Sequence, residues 1–198
     1  MQYKFSDKEL KEILKNIVII IDSREQVNKH ILDYFDKKKK KYRIEKLDQG
    51  DYSACIESNE ITKKLGINRD WYFSNDIAIE RKNSVDELVQ SVKDRDRFEN
   101  EFARLNMYNT KTIVLVEDPQ GYENVLKGNY RSEYKANSFD ATLETFIARY
   151  NLNIQYLDKQ LTGYKIYKTM YYHIREILKN RGYIERIEED EFRTIWKS

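Results

Sequence analysis

The chain has 198 residues, enough for one domain with a sizeable hydrophobic core. Hydrophobic residues make up 40% and charged residues 35%, with 16 tyrosines and one proline, which describes a very polar surface around an ordinary core. Lys and Arg exceed Asp and Glu by only two, so net charge alone excludes nothing and marks no polyanion binder; the distribution of charge has to carry that argument.

The N-terminus, Met1-Gln2-Tyr3-Lys4-Phe5, has no apolar signal-like core, and the longest aliphatic run, Ile17 to Ile21, is far too short to cross a bilayer. The expectation is an intracellular, cytoplasmic protein with no membrane anchor. Ser6 caps a short helix that places Leu10, Ile13 and Leu14 on one face, so residues 1–15 read as a helical extension. Ile17-Val18-Ile19-Ile20-Ile21 has the unbroken β-branched pattern of a strand covered on both faces, and it ends in Asp22-Ser23-Arg24-Glu25. Val27, Ile31, Leu32 and Phe35 then repeat at helical spacing. Five consecutive lysines follow, Lys37, Lys38, Lys39, Lys40 and Lys41. They are either a solvated helix end, favoured by the helix dipole, or a DNA-binding run attracted to phosphates.

A strand over residues 42–47 leads to Gly50-Asp51-Tyr52, where glycine permits a sharp turn that presents the carboxylate at a strand edge. Residues 53–78 read as an insertion, either an elongated hairpin or a loop over the site. Within it, Cys55 is the only cysteine, which excludes an internal disulfide and, with two histidines, a Cys/His zinc cluster. Trp71, Tyr72 and Phe73 are core residues or a base-stacking platform. Residues 76–82 form a strand whose alternation points Ile77, Ile79 and Arg81 one way and Ala78, Glu80 and Lys82 the other. Ser84 and Glu87 make a capping-box signature, and Val85, Leu88, Val89 and Val92 stripe a helix with Asp86 in its first turn. The helix breaks at residues 93–97, where Arg95 and Arg97 are candidates to face a polyanion, before Phe98, Phe102 and Leu105 resume the stripe. A buried strand at 111–117, a surface loop at 128–135, a helix capped by Ser138, a strand at 153–157 and a long helix striped by Ile166, Met170, Ile174 and Leu178 complete the pattern. Residues 181–198 form a charged tail.

Strands alternating with helices predict a three-layer α/β domain with a central mixed sheet. Asp22, Asp51 and Glu80 stand where successive core strands end, with Lys82 beside the last and Asp86 on the helix after it. Converging carboxylates repel unless a cation or a shared proton compensates, and oxygen-only ligands favour Mg²⁺ or Mn²⁺ over zinc. Such an ion would polarise a phosphate, while Lys82 would orient the nucleophile or stabilise the developing charge.

An acid followed by a strand Glu-x-Lys is the layout of the restriction-endonuclease-like, PD-(D/E)xK fold. The fuller wording is more specific: Asp22-Ser23-Arg24-Glu25, Gly50-Asp51-Tyr52, Glu80-Arg81-Lys82 with Asp86 six residues after the Glu, then Arg97-Phe98. Over residues 16–180 this resembles the nuclease domain of the XPF/Hef (ERCC4-domain) family of structure-specific endonucleases; no tandem helix-hairpin-helix module is read after residue 180. The resemblance implies Asp22, Asp51, Glu80 and Asp86 as metal ligands, and Asp51, Glu80, Lys82, Arg81 and Arg24 as catalytic or supporting residues. It implies a Mg²⁺- or Mn²⁺-dependent DNA endonuclease acting on branched, flap or fork structures, and a homodimer or a partner subunit. Tyr164, Tyr167, Met170, Tyr171 and Ile174 are a candidate association surface or core. The alternatives are a non-catalytic DNA-binding scaffold of the same fold and a restriction- or recombination-type nuclease acting on linear duplex.

Overall fold

Ser6 opens the first helix as its sequence requires: the hydroxyl accepts the Glu9 N–H at 3.3 Å while the Glu9 carboxylate takes the Ser6 N–H at 2.9 Å. The computed structural model of the chain describes residues 2–181 and 183–185, the side chains of residues 2–4, 95, 97, 181 and 183–185 excepted. The expected tail therefore lies outside the described residues beyond 185, as do the side chains of Arg95 and Arg97. In chain order the elements are β1 (Gln2–Lys4), α1 (Asp7–Leu14), β2 (Ile17–Asp22), α2 (Lys29–Lys37), β3 (Lys41–Glu45), β4 (Tyr52–Ile56), α3 (Glu60–Lys63), β5 (Trp71–Tyr72) and β6 (Ile77–Lys82). Then follow α4 (Val85–Lys93), α5 (Arg95–Met107), β7 (Lys111–Val116), α6 (Gly121–Lys127), α7 (Ala136–Tyr150), β8 (Asn153–Tyr156), a 3₁₀ turn at Lys159–Leu161, α8 (Thr162–Arg181) and β9 (Tyr183–Glu185). Among the described residues no helix is long and apolar enough to cross a membrane.

The chain divides into two compact units. The smaller comprises residues 1–17, 56–71 and 171–198; in it β1 pairs antiparallel with β9. Leu10, Ile13 and Leu14 of α1 are buried, and Asn59 caps α3 by accepting the Ile61 and Thr62 N–H groups while its amide donates to Asn16 Oδ1 at 2.7 Å.

The larger unit, residues 18–55 and 72–170, is built on a seven-stranded mixed sheet of order β3-β2-β4-β6-β7-β8, with β5 paired to β4. β2 and β3, β6 and β7, and β7 and β8 are parallel; β4 is antiparallel to β6. On one face Ala78, Val114 and Val116 pack with Leu88 and Val92 of α4, Phe98 and Phe102 of α5, and Phe139 and Phe146 of α7. Helix α2 lies on the other face, burying Ile31 and Phe35. The expected mixed sheet flanked by helices is present, and β2 and β6 are buried along their whole length.

Three local expectations differ. Residues 52–56, assigned in part to an insertion, are the buried core strand β4; the small residues Ser53, Ala54 and Cys55 have too little β-propensity to show it. Trp71, Tyr72 and Phe73 split, with Phe73 buried and Tyr72 exposed, because a strand sends neighbours to opposite faces. Helix α7 begins at Ala136 rather than after Ser138, and α6 is a further helix that was not among the expected elements. On α8, Met170 and Ile174 are core residues, which leaves Tyr164 as the exposed end of the tyrosine stripe at 47%.

Candidate active site

The sheet brings three chain segments together at one end. β2 finishes at Asp22, whose N–H donates to the Asp51 carbonyl at 2.8 Å, and the Asp51 N–H donates to the Ile79 carbonyl at 2.9 Å. Asp51 is thereby stitched between β2 and β6. Gly50 makes this approach possible: at φ 71° a Cβ would meet Ala78 Cβ at 3.1 Å and the Ile79 carbonyl oxygen at 3.3 Å. Only glycine takes that conformation without strain.

Asp22, Arg24, Asp51, Glu80, Glu101 and Arg104 line a polar cleft of about 300 Å³. Asp22 is buried and fully engaged. Its oxygens accept Arg24 N–H at 2.8 Å, Arg24 Nε at 2.7 Å, Arg24 Nη2 at 3.1 Å and the Leu47 N–H at 2.7 Å. Burial pushes its carboxyl up, but these hydrogen bonds outweigh it and hold the group below the usual carboxylate range. Arg24 is in consequence locked in position although its side chain is 66% exposed.

Glu80 and Lys82 share one face of β6 and form a buried ion pair, Nζ to Oε1 at 2.7 Å. Burial lowers the Lys82 ammonium, yet the Glu80 charge and hydrogen bond raise it above its ordinary value, so it stays protonated. Its Nζ also lies 5.4 Å from the centroid of Phe98. Asp51 is pushed well above the carboxylate range by burial and by the Glu80 charge, against the pull of the Arg81 N–H on Oδ2 at 2.7 Å. Glu101, on α5, is raised to about 7 by burial, by the Glu80 charge and by its hydrogen bond to Glu80. Near neutrality this cleft therefore holds a shared proton as well as an ammonium. Glu101 is absent from the motif reading, but one signal pointed to it: it is an acid set within the apolar stripe Phe98, Phe102, Leu105.

The opposite face of β6 carries a second network. Arg81 Nε donates to Glu25 Oε1 at 2.7 Å, and Nη1 donates to Glu117 Oε2 at 2.9 Å. His30 Nε2 of α2 lies 2.5 Å from Glu117 Oε1, and the Tyr52 hydroxyl donates to Glu25 at 3.3 Å. The Arg81 guanidinium is thus directed away from the cleft, as strand alternation requires. Its link to the cleft is its backbone N–H, which holds Asp51.

The structure gathers Asp22, Arg24, Asp51, Glu80 and Lys82, but not every candidate. Asp86 is not among the cleft residues: it accepts the Arg131 N–H at 2.6 Å and pins the 128–135 loop, because the first turn of α4 has already left the sheet end. The lysine run spans the end of α2, the turn and the start of β3. Since parallel pairing matches Val18 with Lys41 and Asp22 with Glu45, Lys41 stands at the far end of the strands, about 13 Å from the level of Asp22. Lys37 to Lys41 are therefore not part of this cleft.

The donor chemistry fits a hard divalent cation: Asp51, Glu80 and Glu101 offer only oxygens, and burial first, then the Glu80 charge, raises Asp51 and Glu101. Among the described residues no group of three or more His, Cys, Asp or Glu side chains stands in a metal-holding arrangement. Glu80 is paired with the Lys82 ammonium.

Comparison with known proteins bears on this geometry. The ERCC4 domain family model matches residues 21–169. No curated protein matches the chain. Among solved structures, XPF from Aeropyrum pernix is similar over 83% of this chain and 69% of its own, with TM-score 0.56 and 18% identity. XPF from Aeropyrum pernix in complex with DNA is similar over 86% of this chain and 68% of its own, with TM-score 0.53 and 16% identity. These two structures share the fold, and the family match spans every residue of the cleft, so the chain belongs to the ERCC4-domain family of nucleases.

Proposed function

We propose that the protein is a Mg²⁺- or Mn²⁺-dependent endonuclease that hydrolyses DNA phosphodiester bonds, with branched, flap or fork structures as substrates. The observation that carries the reading is the buried Glu80–Lys82 pair facing Asp51 and Glu101 in one cleft edged by Arg24 and Arg104. Asp51 and Glu80 would hold the cation, which supplies polarisation of the phosphate and activation of water when bound. Lys82, protonated and fixed by Glu80, orients the water and offers charge to the phosphorane-like oxygens. Arg24, exposed yet held by Asp22, is placed to grip a phosphate oxygen. The fold shared with an XPF bound to DNA supports DNA as the ligand, and action on DNA is the ground for assigning an intracellular location. Assembly as a homodimer or with a partner subunit belongs to the same proposal.

The test is cleavage of labelled linear, flap, fork and four-way substrates in Mg²⁺ or Mn²⁺, beside Asp51→Asn and Glu80→Gln. Loss of cutting by at least about a hundredfold in both variants is expected, the scale of a lost transition-state electrostatic contact. No cutting by the wild type, or equal cutting by the variants, refutes the reading. Binding without cutting favours the second reading, a non-catalytic DNA-binding scaffold. Equal cutting of linear duplex and branched substrates moves the assignment to a restriction- or recombination-type nuclease.

A further inference from the structure

The C-terminal end of α2, the turn into β3 and the first turns of α8 form one surface of the larger unit. Tyr34 meets Tyr164 edge-on at 6.4 Å, and Gly163 approaches Tyr34 so closely that a Cβ would lie 2.8 Å from it. Lys40 Nζ sits 4.0 Å from the centroid of Tyr167, and Lys168 Nζ 5.7 Å from that of Tyr164. Lys37, Lys38 and Lys39 are exposed beside them, and Lys165 precedes Lys168 by one helical turn. Among the described residues none of Lys37, Lys38, Lys39 and Lys165 is in an ion pair.

The bland account explains part of this accumulation. Lysines at the end of α2 are favoured by the negative pole of its dipole, which suffices for Lys37 and Lys38. It does not reach the rest. Lys165 stands near the start of α8, where the dipole favours acids and the first turn has none. Lys39 takes φ 51°, a conformation cheaper for Gly or Asn. Like charges from two elements also repel across the Tyr34–Tyr164 and Lys40–Tyr167 contacts. In a chain of formal net charge +2 this is a local field, assembled against local preference.

We propose that this surface is a second DNA-contact surface, distinct from the cleft, that takes the phosphate backbone of a DNA segment beyond the scissile one. Ammonium and tyrosine hydroxyl groups are the donors that phosphate oxygens accept. The strand register sets the surface and the cleft at opposite ends of β2 and β3, so a bound substrate spans the larger unit or presents two arms to it. The proposal rests on the assignment of DNA as the ligand.

The experiment is fluorescence anisotropy of labelled linear and forked duplexes in EDTA, over a range of KCl concentrations. Wild type is compared with a fourfold Lys37→Gln, Lys38→Gln, Lys39→Asn, Lys165→Gln variant and with the same four positions changed to Arg. Melting curves establish that all three are folded. Expected is a fall of about 3 in the slope of log K against log salt for the neutralised variant, and wild-type behaviour for the Arg variant. Unchanged affinity and slope in the neutralised variant overturns the proposal. So does retained DNA affinity with lost binding to phosphatidylserine vesicles, which would make the surface a membrane contact. The two assignments fail separately: a wild type that cuts nothing but shows the slope change refutes the nuclease reading alone, and an active nuclease with no slope change refutes this one alone.

Discussion

Glu101→Gln is expected to stabilise the cation-free protein, and only at high pH. In the folded chain burial and Glu80 raise the Glu101 carboxyl from 4.5 to about 7, so the native state binds its proton more tightly than the unfolded state does. A group raised in this way contributes stability that is complete below its unfolded value and is lost as pH climbs through the folded one. At about 1.36 kcal/mol per pKa unit, the ceiling on that loss is about 3 kcal/mol. Glu101 is half-buried and shares its proton with Glu80, which brings the expected loss to about 2 kcal/mol. Glutamine keeps the shape, can accept the Gly50 N–H and can donate to Glu80, but has no charge to bury. Urea unfolding in EDTA at pH 4.5 and pH 8 measures the difference through the midpoint at unchanged m-value. The variant should match the wild type at the lower pH and exceed it by about 2 kcal/mol at the higher. A difference that does not vary with pH, or a variant weaker at pH 8, refutes the account of the cleft as a charge-crowded site.

Arg81→Ala should be among the most destabilising single changes, by about 3–5 kcal/mol, because it strands the buried Glu117 and the half-buried Glu25 carboxylates. Arg81→Lys should recover less than half of that, since one ammonium cannot reproduce a fork that serves two partners; chemical denaturation of both variants decides it. Gly50→Ala should cost about 1–3 kcal/mol through its positive φ and the Ala78 contact, and should weaken Mn²⁺ binding measured calorimetrically by shifting Asp51. Wild-type stability and Mn²⁺ affinity in that variant would contradict the placement of the turn.

The legible parts of the fold were those where one period dominates. Ile17 to Ile21 and residues 111–117 have no polar alternation, and both are buried strands; the stripe of Val85, Leu88, Val89 and Val92 is the buried face of α4. β4 was not legible because Ser53, Ala54 and Cys55 are small, and their burial comes from sheet neighbours distant in sequence. α6 was hidden behind the turn signals Asp118, Pro119 and Gly121. In the cleft, the residues named by adjacent motif positions were found, because strand ends fix them. Glu101 and Asp86 show the limit. One reaches the cleft and the other leaves it by the direction of a helix, which spacing within a motif does not encode.

Arg81 shows how the two faces of β6 depend on each other. The motif resemblance requires it beside Glu80 and Lys82, whereas the pleat sends its side chain to the far face. Both demands are met by different atoms: the N–H holds Asp51 Oδ2 at 2.7 Å, and the guanidinium joins Glu25 after β2 to Glu117 after β7. With Glu117 reached by His30 of α2, the far face ties together the elements that flank β6. Because β6 is rigid between its neighbours, fixing Arg81 from behind also fixes where Glu80 and Lys82 project in front. The geometry of the cleft is therefore set by charges that never face it.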